Sequence, residues 1–186
     1  MIAKGLYTHK IRDFIITVAT EEEKKALVPE KYWKHVVITG IGFLDTILTL
    51  RDEIYDGIDE YRPSFVINIG YAGSKNIPVG TVCRVDKCTA YRTHDLDTGA
   101  MQLYQFDTGV PSYYCYSATD FIEKTTLDGA FLIDMELLAH SILKCTLASI
   151  KVVSDNMSIK DYFEKALKES YTEEIEKVLQ DIGVEA

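Results

Sequence analysis

No apolar run in this chain approaches the roughly 20 residues that span a bilayer, so no membrane partner is expected. The opening stretch, Met1 to Lys10, lacks the apolar centre of a secretory signal. Cations are scarce: 20 Lys and Arg stand against 29 Asp and Glu, a net charge of −9. That balance argues against a nucleic-acid surface, which needs clustered Lys and Arg to neutralise phosphates. Cysteines number four (Cys83, Cys88, Cys115, Cys145), and none forms a CxxC pair. Zinc is therefore not expected, and a secreted chain this short would carry a denser disulfide framework. Reduced cysteines packed as small apolar groups point to a cytoplasmic protein. No histidine cluster has metal-ligand spacing. The loop Gly40–Gly42 lacks the third glycine of a dinucleotide fingerprint and follows the second strand. Neither metal nor cofactor is expected. Repeats, low-complexity tracts and linkers are absent as well.

What is present reads as one α/β domain spanning all 186 residues, 47% hydrophobic and 26% charged. Phe14–Ala19, His35–Gly40 and Ser64–Gly70 are apolar strands, with a charged helix opening at Thr20 and another over Phe43–Asp56. Thr81–Tyr91 and Ser112–Ala118 are further strands. A helix over Asp134–Lys144 precedes a last core strand, Leu147–Val153, and two polar helices follow. Continuous apolar strands separated by helices imply a mixed, largely parallel sheet covered on both faces, a three-layer α/β/α sandwich.

Two carboxylates stand at the borders of buried elements. Glu136 opens an apolar helix and Asp155 ends an apolar strand. Charges are rarely left against a core unless they are paired or functional, and ligands in α/β folds bind at the C-terminal ends of strands. Each has a bland alternative. Asp155 would cap a helix near Ser158, and Glu136 would be a first-turn glutamate favoured by the helix dipole. Thr20 and Glu23 have the spacing of a capping box.

Seven ordered segments resemble the nucleoside phosphorylase and nucleosidase superfamily, most closely its 5'-methylthioadenosine/S-adenosylhomocysteine nucleosidase branch. They are Ala19–Glu23, Thr39–Gly42, Val66–Gly73, Ile77–Val82, His94–Asp97, Ala118–Ile122, and the pair Asp134–Glu136 with Ser154–Asp155. The resemblance implies hydrolysis of the N-glycosidic bond of a purine nucleoside, with 5'-methylthioadenosine or S-adenosylhomocysteine as the candidate substrates. It makes Asp155 the acid that protonates the purine N7, and Glu23 the group that activates water. Glu136 would accept the ribose 2'- and 3'-hydroxyls, since a carboxylate offers two acceptor oxygens to neighbouring donors. Met135 would pack on the ribose face, and Phe121 and Ile122 would hold the base. Tyr71 and Gly73 fall in the turn that meets the sugar, although Tyr71 stands where the family has Ser or Thr and Ser74 replaces a second glycine. A homodimer is implied too. No arginine occupies the glycine-rich position with which phosphorylases grip phosphate, so water is the expected acceptor. A phosphate-dependent phosphorylase and an inactive nucleoside-binding protein remain the alternatives.

Overall fold

The structure, a computed structural model, describes residues 10–56, 63–91, 100–160, 162 and 168–185. The element His94–Asp97 lies outside the described residues. Strand β1 (Phe14–Val18) leads through the Thr20 cap into helix α1 (Glu21–Leu27). A 3₁₀ helix (Glu30–His35) enters β2 (Val36–Ile38), and Gly42 then caps α2 (Phe43–Thr49), which continues as a π-helix over Leu50–Asp56. Strands β3 (Phe65–Gly73), β4 (Val82–Ala90), β5 (Met101–Gln102) and β6 (Ser112–Ser117) follow.

The helix expected over 134–144 forms differently. Asp134 ends strand β7 (Phe131–Asp134), and only Leu137–Ile142 is helical, as a 3₁₀ helix with Glu136 at its N-cap. The short apolar run Phe131–Ile133 fits a buried strand as well as a helix, and parallel pairing with β6 decides for the strand. Strand β8 (Thr146–Asp155) and helix α3 (Thr172–Ile182) complete the order. Among the described residues, no helix is long and apolar enough to cross a membrane.

The eight strands form one mixed sheet in the order β2-β1-β3-β7-β6-β4-β5, with β8 pairing both β3 and β4. Strands β1, β2, β3 and β8 run parallel, and β3 and β8 are buried along nearly their whole length. Successive strand residues point to opposite faces, so two cores arise from the same strands. Ile16, Ile67, Ile69, Ile150 and Val152 share one, packed by Leu27 of α1 and by Ile175, Val178 and Leu179 of α3. Val66, Ala72, Leu132 and Val153 share the other with Leu137 of the 3₁₀ helix. The β3–β8 register slips between Ala72 and Gly73, so that Gly73 faces Asp155 and Ser154 is the extra residue. Such a bulge re-aims the side chains beyond it.

Candidate active site

The bulge sets Asp155 at the floor of a cavity of about 240 Å³. Glu23, Tyr71, Gly73, Phe121, Ile122, Met135, Glu136 and Asp155 all line it, so these eight candidates from the sequence meet there. Five separate stretches of chain supply them: the start of α1, the end of β3, the loop after β6, and the ends of β7 and of β8. Ile41, Met157, Ile159 and Tyr162 complete the apolar wall.

Asp155 is buried, and its two oxygens are held locally. The Ser154 hydroxyl donates to Oδ2 at 2.6 Å and the Ser158 N–H to Oδ1 at 2.8 Å. The capping role and a place in the cavity therefore coexist. Gly73 makes room for it: a Cβ there would lie 3.1 Å from Asp155 Oδ1 and 3.5 Å from Met157 Sδ. Ser74 ties the same turn down, its hydroxyl donating to the Phe131 carbonyl at 2.6 Å while its N–H donates to that of Asp155 at 3.0 Å.

Only half of the expected capping box forms. The Glu23 N–H donates to Thr20 Oγ1 at 3.1 Å, but the Glu23 carboxylate returns to the Ala19 N–H at 3.0 Å rather than to the cap. Glu23 is thereby turned into the cavity. Burial pushes its pKa up, opposed by the Ala19 N–H, by Lys151, by the Tyr71 N–H and by the Tyr162 hydroxyl. Tyr71 is buried, with its ring edge-on to Tyr162 at 6.0 Å.

Glu136 faces the cavity and is anchored by the glycine loop. Gly42 N–H donates to its Oε1 at 2.7 Å, and Met135 N–H to its Oε2 at 3.3 Å. Gly42 adopts φ 86°, a left-handed conformation that suits glycine. Burial, then the neighbouring Asp134, push the Glu136 pKa up to about 7, against the pull of Lys151. Each carboxylate oxygen accepts a single backbone N–H here and retains capacity for a hydroxyl donor.

Lys151 is the residue that sequence reasoning missed. Its side chain does reach the site region, buried to 1% exposure, where Nζ lies 2.8 Å from Asp134 Oδ2. Burial alone would push its pKa down, yet Asp134, Cys115 and Glu136 hold it above the ordinary lysine value. Gly70, its partner across β3 and β8, leaves the space: a Cβ there would lie 3.4 Å from Lys151 Nζ and 3.7 Å from Glu23 Oε2. This glycine accommodates a lysine and a glutamate of the protein itself. The scattered cysteines also partly converge, because Cys88 and Cys115 pair across β4 and β6. Ligand atoms of Cys88, Cys115 and Asp134 lie within 4.8 Å of one another. The Lys151 ammonium already sits on Asp134 Oδ2, which also accepts the Leu137 N–H at 2.9 Å.

No family model matches the chain, and no curated protein matches it. Solved structures do. A 5'-methylthioadenosine/S-adenosylhomocysteine nucleosidase from Colwellia psychrerythraea 34H, in complex with adenine, superposes with a TM-score of 0.67 at 16% identity, covering 95% of this chain and 96% of that one. The 5'-methylthioadenosine nucleosidase of Arabidopsis thaliana gives a TM-score of 0.66 at 16% identity, covering 94% and 96%. An Asp-to-Asn variant of a Chlamydia trachomatis nucleosidase, bound to MTA, gives 0.59 at 15%, covering 92% and 94%. The chain has the fold of these nucleosidases.

Proposed function

We propose that the protein is a purine nucleosidase that hydrolyses the bond between base and ribose, with 5'-methylthioadenosine or a related 5'-thio-substituted adenosine as substrate. The observation that carries this reading is the meeting of Glu23, Glu136 and Asp155 in one apolar-walled cavity beside Phe121 and Ile122. The fold shared with nucleosidases that bind adenine or MTA supports it.

In this reading the base lies between Phe121, Ile122 and Asp155, and the ribose lies over Met135 with its hydroxyls on Glu136. The bond from C1' to N9 breaks with its electron pair leaving on the purine. Asp155 delivers a proton to N7 as that charge grows. Glu136 offsets the positive charge that builds on the sugar. Water attacks C1' and gives its proton to Glu23, yielding free base and free sugar. Glu23 must be ionised to accept that proton, and Lys151 with the two N–H donors favours that form against burial.

The wider proposal is a single nucleosidase domain with a three-layer α/β/α arrangement, acting as a cytoplasmic homodimer. Ile41, Leu44 and Leu48 support the dimer: they are exposed at 58%, 66% and 41%, Leu44 and Leu48 share one face of α2, and Ile41, just before the Gly42 cap, reaches the cavity wall. Free thiols at all four cysteines agree with a reducing compartment.

Purified protein should release adenine from 5'-methylthioadenosine in phosphate-free buffer. Release that appears only with added phosphate would replace this reading by the phosphorylase. Asp155→Asn, which cannot supply the proton, should lower kcat by at least ~100-fold while nucleoside binding stays nearly intact. Undiminished turnover in that variant would remove Asp155 from the chemistry.

A further inference from the structure

His140 is buried to 1% exposure, and the chemistry above gives it no part. It sits in the 3₁₀ helix that follows Glu136, four residues along, with its ring turned back toward that residue. His140 Nδ1 lies 3.2 Å from the Glu136 carbonyl oxygen, and Nε2 lies 2.8 Å from Thr17 Oγ1. A carbonyl can only accept, so Nδ1 carries the hydrogen and Nε2 accepts from the Thr17 hydroxyl.

The chain of bonds continues in one direction. Ser149 Oγ donates to Asn68 Oδ1 at 3.2 Å, and Asn68 Nδ2 donates to Thr17 Oγ1 at 3.4 Å. Ser149, Asn68 and Thr17 lie on β8, β3 and β1, with exposures of 0%, 3% and 0%. A protonated imidazole would make Nε2 a donor and take away the acceptor of the Thr17 hydroxyl. Burial, with the Lys151 cation nearby, pushes the His140 pKa down to about 4 and agrees with a neutral ring.

Glu136 needs such support. It is the N-cap of a short 3₁₀ helix, with no side-chain cap. Its carbonyl otherwise accepts the Ala139 N–H at 3.0 Å, and 3₁₀ turns have poorer hydrogen-bond geometry than α-helices. The His140 relay fastens that carbonyl to three strands of the sheet. One of them, β1, runs directly into Ala19, whose N–H holds Glu23.

We propose that His140 is a positioning residue: through the Glu136 carbonyl and the Thr17–Asn68–Ser149 chain, it fixes where the Glu136 carboxylate meets the ribose hydroxyls. This rests on the nucleosidase reading above. The test compares 5'-methylthioadenosine with its 2'-deoxy analogue in wild type, His140→Leu and His140→Asn, with thermal unfolding followed in parallel. Wild type should prefer the ribo substrate. His140→Leu should lose about tenfold in kcat/KM on it, the equivalent of one net hydrogen bond, with a much smaller loss on the deoxy analogue. His140→Asn places an amide nitrogen near the Nδ1 position and should recover most of the loss.

Equal losses on both substrates, no wild-type preference for the ribo sugar, or Asn faring no better than Leu would overturn the proposal. If the Leu variant does not fold, His140→Gln takes its place, because Gln reaches Thr17 but puts no donor at the Nδ1 position. Gln matching Asn would then refute positioning through Glu136. Wild-type protein that releases no base from either nucleoside sinks the nucleosidase reading, and this inference with it. An active wild type with indifferent His140 variants sinks this inference alone.

Discussion

The same strands present two different faces. Toward α1 and α3 they show Ile16, Val18, Ile67, Ile69, Ile150 and Val152, an unbroken apolar layer. One residue along each strand, the opposite face shows Thr17, Asn68, Ser149 and Lys151, all at 3% exposure or less, among Val66, Ala72 and Val153. His140 and Asp134 meet this second face from the segment around Glu136. The first face stabilises the sheet by burial alone. The second spends hydrogen bonds and an ion pair on holding Glu23 and Glu136 at the cavity. Buried polar groups cost free energy unless satisfied, so a line of them beside an apolar face marks where geometry matters more than burial.

Breaking the polar face should have the largest effect. Lys151→Met removes one partner of a buried pair and leaves Asp134 without its cation. Loss of this kind costs about 3–5 kcal/mol, read as a fall in the urea midpoint with an unchanged m-value. Adding Asp134→Asn should restore much of that stability but not turnover, since Glu23 would still lack the cation that favours its ionised form. Full activity in the double variant would reduce Lys151 to a structural ion.

The contrast also explains what was legible in the sequence. The strands β1, β2, β3 and β8 announce themselves as apolar runs, and Asp155 and Glu136 as charges at the borders of buried elements. Asp155 is held by Ser154 and Ser158, its neighbours in the chain, so its setting is local. Glu136 depends on Gly42, 94 residues away, and Lys151 on Asp134, which nothing local specifies. A single lysine inside β8 does not by itself say which face of the sheet it takes. The missed signal was its company: Thr17, Asn68, and Ser149 with Lys151 interrupt three apolar strands that are parallel neighbours. A polar residue at the same depth in adjacent strands indicates one buried polar line. Strand β7 is hidden because its three apolar residues, Phe131–Ile133, carry no periodicity with which to separate strand from helix.

A smaller effect should appear in the pH dependence of stability. Burial and Asp134 raise the Glu136 pKa from the ordinary 4.5 to about 7, so between those values the folded protein binds more protons than the unfolded chain. The stabilisation from this group is complete below pH 4.5 and is lost as the pH rises through 7. Glu136→Gln keeps an acceptor for the Gly42 N–H and removes the titration. Its stability should decline less than that of wild type between pH 5 and pH 8, as read from urea midpoints across that range. Parallel curves for the two proteins would mean that Glu136 titrates normally, and that the polar face does not act on it.

The mildest change tests the apolar face. Ile67 is fully buried on β3 between β1 and β8, one residue before Asn68. Ile67→Val deletes one methylene and leaves a small void, which costs about 0.5–1.5 kcal/mol. The missing group points toward the α1 and α3 side, away from Asn68, Ser149 and Lys151, and touches no hydrogen bond of the relay. Thermal unfolding should therefore shift down while kcat, KM and the preference for a ribo over a deoxy substrate stay within twofold of wild type. A changed sugar preference would show that β3 transmits packing strain from one face to the other. The two faces would then be a single mechanical unit, and the polar line would owe its geometry to the apolar layer behind it.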